Sequence, residues 1–124
     1  MRIGDVYRPV VFGCWSDECL RDVARRMVER EIGVLAVLDG NRVTGVISER
    51  DLVKALAESA EPGSAKAAEY ASLDVETADV EEDSRAVADR MLEAGFRHMP
   101  VIQEGEMVGM VSMRDLLALE TWGR

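Results

Sequence analysis

Slid against itself, the sequence matches at one offset, 64 residues, over a long ungapped stretch in which residues 23–56 fall on residues 87–120. Eleven of those 34 positions are identical, among them Val23/Val87, Arg26/Arg90, Met27/Met91, Val37/Val101, Gly45/Gly109, Ser48/Ser112, Arg50/Arg114, Asp51/Asp115 and Leu52/Leu116. A repeat constrains the fold more than any single motif, because both copies must solve the same packing problem. A unit of about 60 residues with few aromatics has a marginal core of its own, so the copies are expected to bury their sheets against each other with pseudo-two-fold symmetry. The boundary is placed near Pro62, where a Pro-Gly pair among small residues should stop a helix, giving repeats over residues 1–62 and 63–124 of one compact module.

Apolar spacing gives both copies the same elements. Leu20, Val23, Ala24, Met27 and Val28 follow the stripe of a helix with one apolar face, and Val87, Ala88, Met91 and Leu92 repeat it. Asp83 and Ser84 are plausible caps for the second of these helices, because their oxygens can accept from its first-turn amides; Glu18 and Cys19 cap less well. Then come two apolar runs about a turn, residues 34–38 and 43–48 in one copy and 99–102 and 107–112 in the other, each reading as a hairpin. Helical spacing resumes at Leu52, Val53 and Leu56, and at Leu116 and Leu117. Short strands are expected before the first helix of each copy, near Val10–Phe12 and Val75–Thr77. The unit is therefore strand, helix, strand, strand, helix, and the fold class α/β.

Only 5% of residues are aromatic while 48% are hydrophobic, so Val, Leu, Ile, Met and Ala must build the core. Met27, Met91, Met99, Met107, Met110 and Met113 suit irregular gaps there or along a cleft. A net charge of -9 with no basic tail makes nucleic acid an unfavoured partner, although a few Arg side chains can still hold a small anion. Cys14 and Cys19 fit neither a disulfide framework nor a zinc pattern and read as reduced thiols. No run approaches the roughly 18 apolar residues of a membrane span, and no signal-peptide pattern opens the chain, so a soluble, cytoplasmic protein is expected. Glu76, Asp79, Glu81, Glu82 and Asp83 read as a solvated face, with divalent-cation binding the weaker alternative. Trp15 and Trp122 are candidates for a dimer surface or a cleft cover.

GVISERD (45–51) and GMVSMRD (109–115) resemble the Gly, two apolar, Ser/Thr, two variable, Asp signature of CBS domains, the cystathionine-β-synthase-type repeats that occur as tandem pairs. RHMPV (97–101) and VET (75–77) are also similar to patterns of that family, so the resemblance covers nearly the whole chain. It implies a stand-alone tandem CBS module: paired α/β repeats whose sheets meet, leaving two clefts, in modules that commonly dimerise. It further implies that an adenosine nucleotide (AMP, ADP or ATP) or another adenosyl compound binds in the inter-repeat cleft, and that the module regulates or senses rather than catalyses. A homodimer and an unidentified regulated protein are the implied partners, with no required cofactor.

The motif residues admit two readings. Ser48 and Ser112 can cap the helices that follow, with Asp51 and Asp115 closing capping boxes and favoured by the helix dipole. The same helix start offers free amides and positive potential to a phosphate, with the Ser hydroxyl as a further donor and Arg50 or Arg114 as a forked cation. An ionised carboxylate can accept both hydroxyls of a ribose; the resemblance implies that ribose role for Asp51 and Asp115 and phosphate contact for the Ser. Arg50 and Arg114 read equally well as solvated surface groups. His98, the single histidine, could be structural, but it stands in the RHMP segment with Arg97, Met99 and Pro100.

The copies are not equivalent. Where the second copy has Thr77, a residue type that in the family helps hold the ligand, the first has Gly13 beside Cys14, and where the second has Arg97–Pro100 the first has Gly33, Val34, Leu35 and Ala36. The second copy thus has the fuller polar set, and the first, with Ser48, Arg50 and Asp51, is expected to bind more weakly or to bind another ligand. The alternative function is a ligand-free structural dimerisation or docking module. No nucleophile, base and orienting group stand together as an enzyme would need, and no metal-ligand spacing is present.

Overall fold

Both hairpins form, and they form with one register. In the first, β2 (Val34–Asp39) runs antiparallel to β3 (Arg42–Ser48), from Val34 opposite Ser48 to Asp39 opposite Arg42. In the second, β5 (His98–Gln103) and β6 (Glu106–Ser112) pair from His98 opposite Ser112 to Gln103 opposite Glu106. Each slips at the same place, between Val37 and Leu38 and between Val101 and Ile102. The computed structural model describes residues 1–73 and 76–122, the side chains of 120–122 excepted.

The chain forms two compact units. The first, Phe12–Val75, holds β1 (Gly13–Trp15), α1 (Leu20–Arg30), β2, β3, α2 (Glu49–Glu58) and a short α3 (Ala67–Tyr70). β1 lies parallel to β2, so the strand order within this unit is β1-β2-β3. The second unit combines Met1–Val11 with Glu76–Arg124 and holds β4 (Ala78–Asp79), α4 (Ser84–Ala94), β5, β6 and α5 (Met113–Trp122), its strands ordered β4-β5-β6. Its core gathers Ile3, Ala78, Val87, Met91, Met99, Val101, Val111 and Leu116. The repeat-matched positions Cys14, Val23, Met27, Leu35, Val37 and Ile47 are buried in the first unit. Core building by aliphatic side chains and Met is as the composition required; no described helix is long and apolar enough to cross a membrane.

The outer strands start later than the apolar residues suggested. Val10 and Val11 are exposed, and β1 begins at Gly13; β4 begins at Ala78, while Val75 lies outside the described residues. What selects the strand is a small buried side chain paired in register with the adjacent strand: Cys14 opposite Val37, Ala78 opposite Val101. Burial pushes the Cys14 thiol up to about 11, with the nearby Glu18 carboxylate adding to the effect, so Cys14 is a neutral, packed group; both cysteines are free.

Each unit borrows a strap from the segment that precedes the other repeat. In the second unit, Met1, Ile3 and Gly4 are tied by backbone hydrogen bonds to Ser84, Glu82 and Val80, and Arg8 and Met110 of β6 exchange backbone hydrogen bonds of 2.8 and 2.9 Å. In the first, Ser72 and Val46 do the same at 2.8 and 2.9 Å. The straps obey the 64-residue offset, Arg8 matching Ser72 and buried Ile3 matching buried Ala67. They also explain the glycine that opens the repeated heptad. A Cβ on Gly45 would stand 2.9 Å from the Ser72 carbonyl oxygen, and one on Gly109 would overlap the Arg8 carbonyl and the Tyr7 ring.

Two expectations need correction. Asp83 occupies the N-cap position of α4, but its side chain makes no cap hydrogen bond and faces the Met1 ammonium at 3.5 Å instead. The acidic stretch is more than a solvated face, since Glu81 pairs with Arg2 of the strap and Glu76 and Glu82 with Arg90 of α4.

Candidate functional site

In each unit a helix begins where the hairpin ends, so the last residue of the strand becomes the cap. Ser48 Oγ accepts from the Asp51 amide at 3.4 Å, while the Asp51 carboxylate accepts from the Ser48 amide at 2.7 Å and its hydroxyl at 3.1 Å. This is a closed capping box: the local reading of the motif holds for the first unit, and Asp51 is turned inward upon it. In the second unit Ser112 Oγ accepts from the Asp115 amide at 3.0 Å, so Ser112 caps α5.

There the carboxylate does something else. Arg8 Nε and one of its terminal nitrogens donate to the two Asp115 oxygens at 2.9 and 3.1 Å, a forked contact across 107 residues of sequence. Arg8 hydrogen bonding, against the opposing effect of partial burial, holds Asp115 below the usual carboxylate range, and the Ser112 hydroxyl and the charge of Arg114 add to it. Asp115 is therefore an ionised acceptor at neutral pH.

Opposite Ser112 in the register stands His98, half-buried. Desolvation lowers its pKa and the charge of Arg97 adds to that, while Asp115 pulls the other way. Above that lowered value the ring is neutral and carries one donor and one acceptor nitrogen. Arg97 and Arg114 are exposed, whereas Met99 and Pro100 are buried in β5. Thr77 precedes β4 on the far side of β5 from Ser112, two strand spacings or roughly 10 Å across the sheet. Its backbone is anchored by Arg90, which donates to the Thr77 carbonyl at 2.9 Å and to Glu82 at 3.3 Å, while Glu82 accepts from the Asp79 amide at 3.0 Å.

The repeated Arg26 makes the same clamp on Gly13 and Glu18, at 2.6 and 2.7 Å. The first unit lacks the rest of the set. Val34 stands opposite Ser48 and Ser72 takes the place of Arg8, while Arg50 is exposed just as Arg114 is.

The structure thus brings Arg97, His98, Ser112, Arg114 and Asp115 to one end of β5, β6 and α5, with Thr77 across the sheet. Sequence reasoning missed Arg8. Its signal was weak but present: the 64-residue offset continues through Arg2/Lys66 and Asp5/Glu69, which marks residues 1–11 as part of a repeat rather than a tail. Among the described residues no three His, Cys, Asp or Glu side chains gather as a metal site would need.

Fold and site together define a tandem α/β repeat, and comparison gives it a family. CBS domains match residues 3–58 and 67–120, so the chain belongs to the CBS domain family. It is 38% identical over 99 residues to an uncharacterised 17.7 kDa protein of Acidianus ambivalens, covering 78% of this chain and 59% of that protein. Hypoxic response protein 1 of Mycobacterium tuberculosis is 34% identical over 101 residues, with coverage of 80% and 71%. The chain spans 63% of a Methanopyrus kandleri relative and 31% of one from Methanocaldococcus jannaschii.

Among solved structures, Hypoxic Response Protein I with two coordinated zinc ions superposes with a TM-score of 0.85 at 30% identity, covering 95% of this chain and 98% of that one. The CBS domain pair of protein MJ0100, in complex with 5-methylthioadenosine and S-adenosyl-L-methionine, gives 0.85 at 22% identity, a likeness of fold alone, covering 100% and 98%.

Proposed function

We propose that the module binds an adenosine nucleotide, AMP, ADP or ATP, at the second unit and regulates a protein partner rather than catalysing a reaction. The observation that carries this is the state of Asp115: ionised, half-buried, at the first turn of a Ser-capped helix, with Arg8 and Arg114 acting on it and His98 nearby. Ser112 and Arg114 at the positive start of α5 suit a phosphate, even though the Met113 and Asp115 amides already donate to the Arg97 carbonyl and to Ser112 Oγ, and the carboxylate suits the ribose hydroxyls. Neutral His98 offers a polar handle for a base, with Thr77 as a further hydroxyl, whereas Met99 and Pro100, expected from the sequence to touch the ligand, are fully buried in β5 and back the site from the core. Ser48, Arg50 and Asp51 form the weaker site, because Asp51 is already spent on its own cap. That a CBS pair of this fold holds adenosyl compounds supports the ligand class.

The test is a thermal-shift panel of AMP, ADP, ATP, NADH, S-adenosylmethionine and cyclic dinucleotides. A ligand that binds only the folded state raises the melting temperature with concentration. No shift with any of them would refute the reading.

A second reading, a dimerisation module, is favoured by apolar side chains left on helix surfaces: Val28 is 78% exposed on α1 and Leu56 69% on α2. A homodimer would cover them. Sedimentation equilibrium at the monomer mass across the micromolar range would rule it out.

A further inference from the structure

The Arg8–Asp115 fork has no counterpart in the first unit, where the strap carries Ser72 and Asp51 bonds to its own cap. Arg8 is therefore not needed to make the repeat fold. Its backbone is fixed by the exchange with Met110, yet its side chain is 71% exposed, against 22% for Asp115. A guanidinium so placed can leave its partner without moving the strap.

The fork takes the two carboxylate oxygens side by side, as a ribose cis-diol would. Resting on the nucleotide reading above, we infer that Arg8 is an internal occupant of the ribose acceptor. It competes with the sugar for Asp115, so ligand entry at the second unit requires exchange of the Arg8 side chain into solvent. The first unit has no such competitor.

Because the Arg8 side chain is largely solvent-facing, the competition is modest and sensitive to salt, worth about two- to fivefold in affinity. Adenosine is the probe, since it carries the ribose without a charge of its own. In calorimetric titrations Arg8→Gln is expected to bind adenosine about two- to fivefold more tightly than the unmodified protein. Raising sodium chloride from about 20 to 500 mM should strengthen adenosine binding to the unmodified protein and leave Arg8→Gln unchanged, as screening releases the fork.

The variant keeps the strap's backbone bonds, and an unchanged melting profile of the core checks its fold. If Arg8→Gln binds AMP in an Asp115-dependent way but takes adenosine no more tightly, or less tightly, the competition is refuted while the nucleotide reading stands. If neither protein binds AMP or adenosine, the nucleotide reading fails and the competition with it.

Discussion

Placing a methyl group on Gly109 sets it into the Arg8 carbonyl and 2.6 Å from the nearest carbon of the Tyr7 ring. The ring can turn, but the carbonyl cannot, because it accepts from the Met110 amide at 2.9 Å while the Arg8 amide donates back at 2.8 Å. Gly109→Ala must therefore push the strap off β6. Losing the two exchanged hydrogen bonds costs about 1 kcal/mol each. Loosening buried Ile3 adds a fraction of the roughly 1.5–3 kcal/mol that burying such a side chain contributes, and the strap regains some chain entropy. The net expectation is about 2–4 kcal/mol.

Gly45→Ala meets the Ser72 carbonyl at 2.9 Å, an overlap that a few tenths of an ångström would relieve, so it should cost about 1 kcal/mol. At roughly 3–5 °C per kcal/mol for a chain of this size, calorimetry should find Gly109→Ala melting about 6–20 °C low and Gly45→Ala about 3–5 °C low. Hydrogen exchange should show the Arg8 and Met110 amides losing protection first. A Gly109→Ala protein that melts within about 2 °C of the original, or a Gly45→Ala protein that suffers more, would refute the strap as the reason for these glycines.

The helix C-termini offer a matched test. Glu31 and Gly95 hold the same left-handed position after α1 and α4, at φ of 53° and 76°. Glu31→Gly should stabilise by about 0.5–1 kcal/mol in urea titrations, because glycine adopts that conformation without a Cβ penalty. His98 sets a pH dependence. Its folded pKa lies below the ordinary value near 6.5, so the unfolded chain takes up the proton first and stability falls as pH drops from about 6.5 toward the folded value, by at most about 1.4 kcal/mol per unit. Chemical denaturation between pH 7.5 and 5 should show this slope, and His98→Asn should flatten it.

The sequence made the repeating elements legible because their signals are local: the helix stripe at Val23, Met27 and their partners, the hairpin turns, and the capping Ser and Asp. What it hid was set by contacts between distant segments. β1 is chosen by the small buried Cys14 rather than by apolar Val10 and Val11, whose exposure no alternation pattern announces. Asp83 looks like a cap until the Met1 ammonium reaches it. The candidate site residues stand out in the sequence through the repeated heptad and through the loss of symmetry at Thr77, Arg97 and His98. Arg8 was not, since its partner lies at the opposite end of the chain and only the weak continuation of the offset links them.

The central claim is that Asp115 receives the ribose of an adenosine nucleotide. Isothermal titration of AMP into the unmodified protein and into Asp115→Asn, with Asp51→Asn as the matched control, tests it most directly. Saturable binding should weaken about tenfold or more in Asp115→Asn, the loss expected when hydrogen bonds to a charged acceptor are removed, and far less in Asp51→Asn. Equal affinity in the unmodified and Asp115→Asn proteins, or a larger loss at Asp51, would contradict the assignment.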